Sequence, residues 1–122
     1  MGVAARPNIA VLRKPLEQAI RQGHPWVFAA ALGLPPGLGS GASVDLHDSR
    51  GRFLARGLYD ADSPIALRLW TRRPDEAIDA QLLRRRLRQA AALRRPLIDR
   101  AAVDAWRLVH GEGDGLPGLV VD

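Results

Sequence analysis

None of the 122 residues is cysteine. That excludes a disulfide framework, a thiolate zinc site and a cysteine nucleophile. Lysine is almost missing as well: of the 18 basic residues only Lys14 is lysine. Aromatic residues make up 5% of the chain, so few large rings are available for either a core or a stacking surface. Long hydrophobic runs are absent. The longest, Val27 to Leu34, falls well short of the roughly 20 apolar residues that a membrane-spanning helix needs. Met1 to Arg6 lacks the apolar stretch of a secretory signal, which leaves a bacterial-type cytoplasmic protein as the expectation. His24, His47 and His110 are far apart and share no helical i, i+4 spacing, so no metal site is expected.

What remains is a small globular composition, 47% hydrophobic and 25% charged with a net charge of +5. Its length allows one domain, or one small domain and part of another. Arginine favours planar, bidentate contact with phosphate and stacking on bases. The same arginine excess would also follow from GC-rich codons.

Hydrophobic alternation and turn residues place the elements. Asn8 to Leu12 reads as a first strand, and a helix from about Pro15 carries Leu16, Ala19 and Ile20 at helical spacing. Gly23 is suited to the left-handed conformation that closes such a helix. Pro25 then turns the chain into an extended run through Trp26, Val27 and Phe28. Gly33 to Gly41 is a loop. Three strands follow: Ala42 to His47, Phe53 to Tyr59 and Ile65 to Trp70. In the first of them Val44 and Leu46 share one face, and Ser43, Asp45 and His47 the other. Gly57 predicts a bulge or a close backbone approach. The expected fold is mixed α+β and mostly β, a small barrel or curled sheet over residues 8–72.

Beyond it, Arg72 to Asp75 reads as a linker, and Asp79 as the N-cap of a helix from Ala80 to about Arg95 that Pro96 ends. Leu82, Leu83, Leu87, Ala90 and Ala91 form its apolar stripe. Arg84, Arg85, Arg86 and Arg88 lie mostly on the other side, either as a solvated face or as an RNA-facing stripe. Trp106 to Asp122 reads as strand, glycine-rich turn, strand. Because the second strand stops while still apolar, the sequence is expected to be cut from a longer protein.

Two blocks carry a family resemblance. One is Gly23-His24-Pro25-Trp26-Val27-Phe28, followed by Phe53-Leu54-Ala55-Arg56-Gly57-Leu58-Tyr59 and the Ile65 to Trp70 strand. The other is the run from Arg107 to Asp122, with Glu112-Gly113-Asp114-Gly115-Leu116-Pro117-Gly118 at its centre. In this order and spacing the chain resembles the N-terminal part of the S-adenosylmethionine-dependent 23S ribosomal RNA cytosine-C5 methyltransferases. The resemblance implies a PUA RNA-binding pseudo-barrel over residues 8–72. It also implies a linker, a long helix and the opening β-hairpin of a truncated α/β central domain over residues 73–122. S-adenosylmethionine would serve the full-length protein only. The sequence has no Asp-Pro-Pro motif and no glycine-rich cofactor loop after a strand. Methylation at cytosine C5 needs a thiolate to add to the ring, so this chain alone is expected to be inactive.

The expected partner is RNA, large-subunit ribosomal RNA by the resemblance. Residues 8–72 hold eight basic and five acidic residues, a net +3, and phosphate neutralisation by such charges supplies affinity without sequence preference. Carried to this sequence, the PUA resemblance selects Lys14, Arg21, Gln22, Gly23 and His24, with Arg56 and Arg68 if their strand faces point outward. Trp26 and Phe28 either stack on unpaired bases or, as the default in a domain so poor in rings, fill the core. Trp70 is equally open between a wet face and a covered junction. Glu112 and Asp114 read first as turn residues, with a role in orienting substrate as the other reading. Two other functions stay open: a stand-alone PUA-type RNA-binding module, and a protein-interaction domain whose arginines only solubilise it.

Overall fold

The computed structural model describes residues 7–96, 107, 109–110, 115–117 and 120–121. In chain order its elements are β1 (Asn8–Leu12), α1 (Glu17–Arg21), β2 (Trp26–Phe28), a 3-10 turn (Ala29–Ala31) and β3 (Leu32–Gly33). There follow β4 (Ser43–His47), β5 (Phe53–Tyr59), β6 (Ile65–Thr71), α2 (Ala80–Arg94), β7 (Val109–His110) and β8 (Val120–Val121). The described residues form two compact units that part between Glu76 and Ala77.

In the first unit six strands make one sheet in the order β2-β6-β5-β4-β1-β3. The two end strands, β2 and β3, are separated along the chain only by Ala29–Ala31, so they lie at most about 14 Å apart. A sheet whose two edges belong to one short stretch of chain has to curl round on itself. The outcome is a pseudo-barrel. Strands β1 and β4 run parallel, with Asn8 beside Val44 and Ala10 beside Leu46. A parallel pair needs a crossover rather than a tight turn, and α1, β2 and β3 provide it.

Strand alternation sets the interior. Ala10, Leu12, Val44, Leu46, Leu67 and Leu69 are buried together with Val27 from β2 and Ile20 from α1. Full burial of a side chain the size of leucine stabilises by about 1.5–3 kcal/mol. At Gly57 strands β5 and β6 approach closely. The pairing shifts register between Arg56 and Gly57, and a Cβ at position 57 would stand 2.3 Å from the Arg68 carbonyl oxygen.

The β4–β5 turn is organised by Asp48. Its carboxylate accepts from the backbone N–H groups of Arg50 and Arg52, both at 2.9 Å, and from Arg52 Nε at 2.7 Å. The hydrogen bond from the Arg52 backbone, more than any other influence, holds this carboxyl below its ordinary value, although burial opposes the shift. A depressed folded-state value means the contribution is complete above the unfolded value and lost as pH falls through the folded one. Acid titration of melting temperature should therefore show a loss below about pH 4 that is smaller in Asp48→Asn. Parallel curves for the two proteins would contradict this assignment.

Three local differences from the sequence-based expectation have physical causes. The first helix begins at Glu17 rather than near Pro15, because Leu16 N donates to Lys14 O at 2.8 Å and closes a tight turn there. Asp45, expected on the outer face, is buried, because Arg56 covers it. The stretch after Thr71 is folded onto the barrel and is not a free linker. Thr71 Oγ1 donates to Glu76 Oε1 at 2.6 Å, and Arg56 Nη2 donates to Pro74 O at 3.1 Å.

In the second unit Asp79 caps α2 by accepting from Leu82 N at 3.0 Å. Leu82 and Ala90 are its buried residues, while Leu83, expected in the apolar stripe, is exposed. Arg86 does not join the outward arginines: it donates to the Gly115 carbonyl. Gly115 has φ +72°, Leu116 and Pro117 after it are buried, and β7 pairs antiparallel with β8. Glu112 and Asp114 lie outside the described residues.

Candidate nucleic-acid interface

The C-terminal end of α1 makes a Schellman turn. Gly23 N donates to Ile20 O at 3.1 Å and His24 N to Ala19 O at 3.0 Å, with Gly23 at φ +107°. That is the two-bond pattern with a left-handed glycine that satisfies the last carbonyls of a helix. No atom lies within 4 Å of where a Gly23 Cβ would stand, so the glycine is required by the backbone conformation alone. Its exposed peptide is open to a phosphate or ribose.

Arg72 fastens this turn to the barrel. Its Nε donates to Ile20 O at 2.7 Å and its Nη2 to His24 O at 3.1 Å. Partial burial lowers the Arg72 pKa, yet an arginine stays cationic, and among the described residues its charge rests on these carbonyls without an acidic partner. Sequence reasoning missed this role, because the partners lie 52 and 48 positions away.

Past the turn, Trp26 N donates to His24 Nδ1 at 3.2 Å. An accepting Nδ1 places the imidazole proton on Nε2, which leaves an N–H donor on an exposed ring. The rings of His24 and Trp26 meet edge-on, 6.5 Å between centroids. Strand β2 is an edge of the sheet, paired only with β6. Val27 takes its one inward position, which turns Trp26 and Phe28 outward, 40% and 50% exposed. The default expectation that both rings fill the core is overturned. Two outward rings on a short strand are a surface on which unpaired bases can stack.

The remaining site residues divide. Arg21 and Gln22 are exposed at the same end of α1 as Gly23 and His24. Among the described residues neither Arg21 nor Lys14 has an acidic partner. Lys14 stands before α1, at its opposite end, and lines a depression with Arg13, Glu17 and Ser49. Arg68 lies directly across from Trp26 in the β2–β6 register and pairs with Asp60 at 3.2 Å. Trp70, two positions on, is half-buried.

Arg56 is placed differently. Its Nε lies 2.6 Å from Asp45 Oδ1, its Nη groups reach Asp45 Oδ2 and the carbonyls of Pro74 and Glu76, and its side chain is only 16% exposed. The hydrogen bond with Asp45 raises its pKa further. All three guanidinium nitrogens are thus engaged within the protein. Among the described residues no group of three or more His, Cys, Asp and Glu side chains could hold a metal ion, and no described helix is long and apolar enough to cross a membrane.

Comparison with known proteins places this geometry. The chain is 42% identical over 112 residues to ribosomal RNA large subunit methyltransferase I of Serratia proteamaculans. It is 45% identical over 112 residues to the protein of that name from Tolumonas auensis. Each alignment covers 91% of this chain and 28% of the relative, so the chain spans under a third of these relatives' length. A Streptococcus mutans protein assigned as a SAM-dependent methyltransferase has the same fold, with a TM-score of 0.76 at 14% identity. That match covers 93% of this chain and 29% of the other. The profile of the PUA-like domain matches residues 10–72, just over half of the chain and nearly all of the curled sheet. With the pseudo-barrel, the glycine-closed turn after α1 and this match in agreement, the chain belongs to the PUA-like domain family.

Proposed function

We propose that this chain is the RNA-gripping N-terminal region of a SAM-dependent 23S ribosomal RNA cytosine-C5 methyltransferase, working in the cytoplasm. An RNA-binding domain spans residues 8–72. Residues 73–122 supply a linking helix and the first hairpin of a central domain. One observation carries the reading against a stand-alone module: the alignment with the methyltransferases runs across 91% of the chain, well past the PUA-like residues 10–72. A module without an enzyme attached has no reason to keep the helix and hairpin in common with them.

In this reading the turn after α1 is the grip, joined by Lys14 from the other end of that helix. Arg21 and Lys14 neutralise phosphates, the bare Gly23 peptide and Gln22 meet the sugar–phosphate chain, and His24 Nε2 donates to it. Trp26 stacks on an unpaired base, and Arg68 supports it from the neighbouring strand. Phosphate contacts set position, while unpaired bases and RNA shape give specificity. S-adenosylmethionine would supply the methyl group to the full-length protein. The described residues do not fit that cofactor, because none of the described strands leads through a glycine-rich loop into a helix. Methyl transfer by the isolated chain should be absent.

Replacing Lys14 and Arg21 together by alanine should weaken RNA binding several-fold and leave the melting temperature almost unchanged, since both side chains are exposed and have no acidic partner among the described residues. Titration of a hairpin RNA alongside a thermal melt checks both. A fall of many degrees would mean that these side chains are structural and that the grip lies elsewhere.

A further inference from the structure

The grip proposed above leaves helix α2 without a role. Helix α2 carries five arginines in 15 residues and no acidic residue. Acids placed four residues from bases stabilise an exposed helix face by pairing with them. Here that pairing is missing. Gln81, Arg84, Arg85, Arg88, Gln89 and Ala92 line an open depression of about 570 Å³ along one side. Among the described residues Arg84 and Arg88 form no ion pair, and both are exposed. Arg86 and Arg94, turned elsewhere, are held by the carbonyls of Gly115 and Arg107.

We infer that the Arg84–Arg88 face of α2 is a second binding surface, for the phosphodiester backbone of RNA. The inference rests on the reading of the chain as an RNA-binding region, and adds a contact that the barrel does not make. Charge complementarity selects the occupant. Arg84 and Arg88 stand four residues apart, about 6 Å along the axis, and present planar forks suited to phosphate oxygens. An acidic protein face fits less well, because stable protein interfaces have an apolar core and, among the described residues, the only apolar one lining this depression is Ala92. Nothing here reads base identity, so the surface adds affinity without sequence preference.

The test is a salt series on the 122-residue chain with a hairpin RNA. Arg84→Gln with Arg88→Gln keeps good helix formers in place and should leave the circular dichroism spectrum unchanged. Loss of two phosphate contacts should lower the slope of log K against log salt by about 1.4–1.8. Arg84→Lys with Arg88→Lys keeps both charges and should retain most of that slope. Arg50→Gln with Arg73→Gln, which removes equal charge from the barrel unit, should change it by less than half as much. An unchanged slope in the glutamine variant overturns this inference alone and leaves the grip of the barrel standing. Failure of the wild-type chain to bind RNA overturns both.

Discussion

Gly57→Ala should cost about 3 kcal/mol or more, a large part of the roughly 5–15 kcal/mol that holds an ordinary domain together. The added Cβ would lie 2.3 Å from Arg68 O, 2.9 Å from Arg68 C and 3.1 Å from Leu69 Cα. These are backbone atoms of β6 and have no rotamer to escape into. Strand β5 sits between β4 and β6 in the sheet, so parting it from β6 interrupts the continuous sheet. At about 4–8 °C per kcal/mol for a domain of this size, melting should fall by more than 10 °C. Gly39→Ala is the matched control: its Cβ meets nothing within 4 Å and its φ is not positive, so the change should stay within about 0.5 kcal/mol. A Gly57→Ala protein that melts with the wild type would mean that the strands do not approach as described.

The second large effect is on binding. Trp26→Ala should weaken RNA affinity by about 10- to 100-fold, since stacking of an unpaired base on an aromatic ring contributes about 1–3 kcal/mol. Phe28→Ala should act in the same direction. Neither ring is part of the buried core, so melting should move little. Neither carries charge, so the salt dependence should keep its wild-type slope. Val27→Ala reverses the pattern: it opens a hole in the core and lowers melting, with affinity nearly intact. Salt titrations with thermal melts on the three variants separate stacking from packing. Equal affinities for wild type and Trp26→Ala would remove the rings from the interface.

How much of this was legible in the sequence depends on the range of the interaction that decides each feature. Strands β4, β5 and β6 follow from alternation, the Asp79 cap from its place before an apolar-periodic stretch, and the Gly23 turn from a helix pattern that stops at a glycine. Gly57 also announced itself, because a glycine inside a strand implies a near neighbour. These are signals contained within a few residues. What was not legible depends on distant partners. Asp45 and Arg56 face each other across β4 and β5, and only that pairing turns an expected surface arginine into an internal one. Arg72 gave no local sign that it would hold the end of α1. Trp26 and Phe28 misled because large rings default to the core; the deciding fact is that Val27 between them fills the single inward position of a three-residue edge strand. In α2 the apolar stripe was legible only in outline. Leu82 and Ala90 are buried, but Leu83 is not, and Arg86 points to the Gly115 turn.

Photocrosslinking of 4-thiouridine-containing hairpin RNA to the chain, with the attached peptides identified by mass spectrometry, tests the grip most directly. Within the barrel unit, crosslinks should concentrate on residues 21–28, with Trp26 and Phe28 the principal sites, and should vanish as salt rises. Crosslinks confined to the 48–52 turn or to the 33–41 loop, with the 21–28 stretch unmarked, would contradict the account.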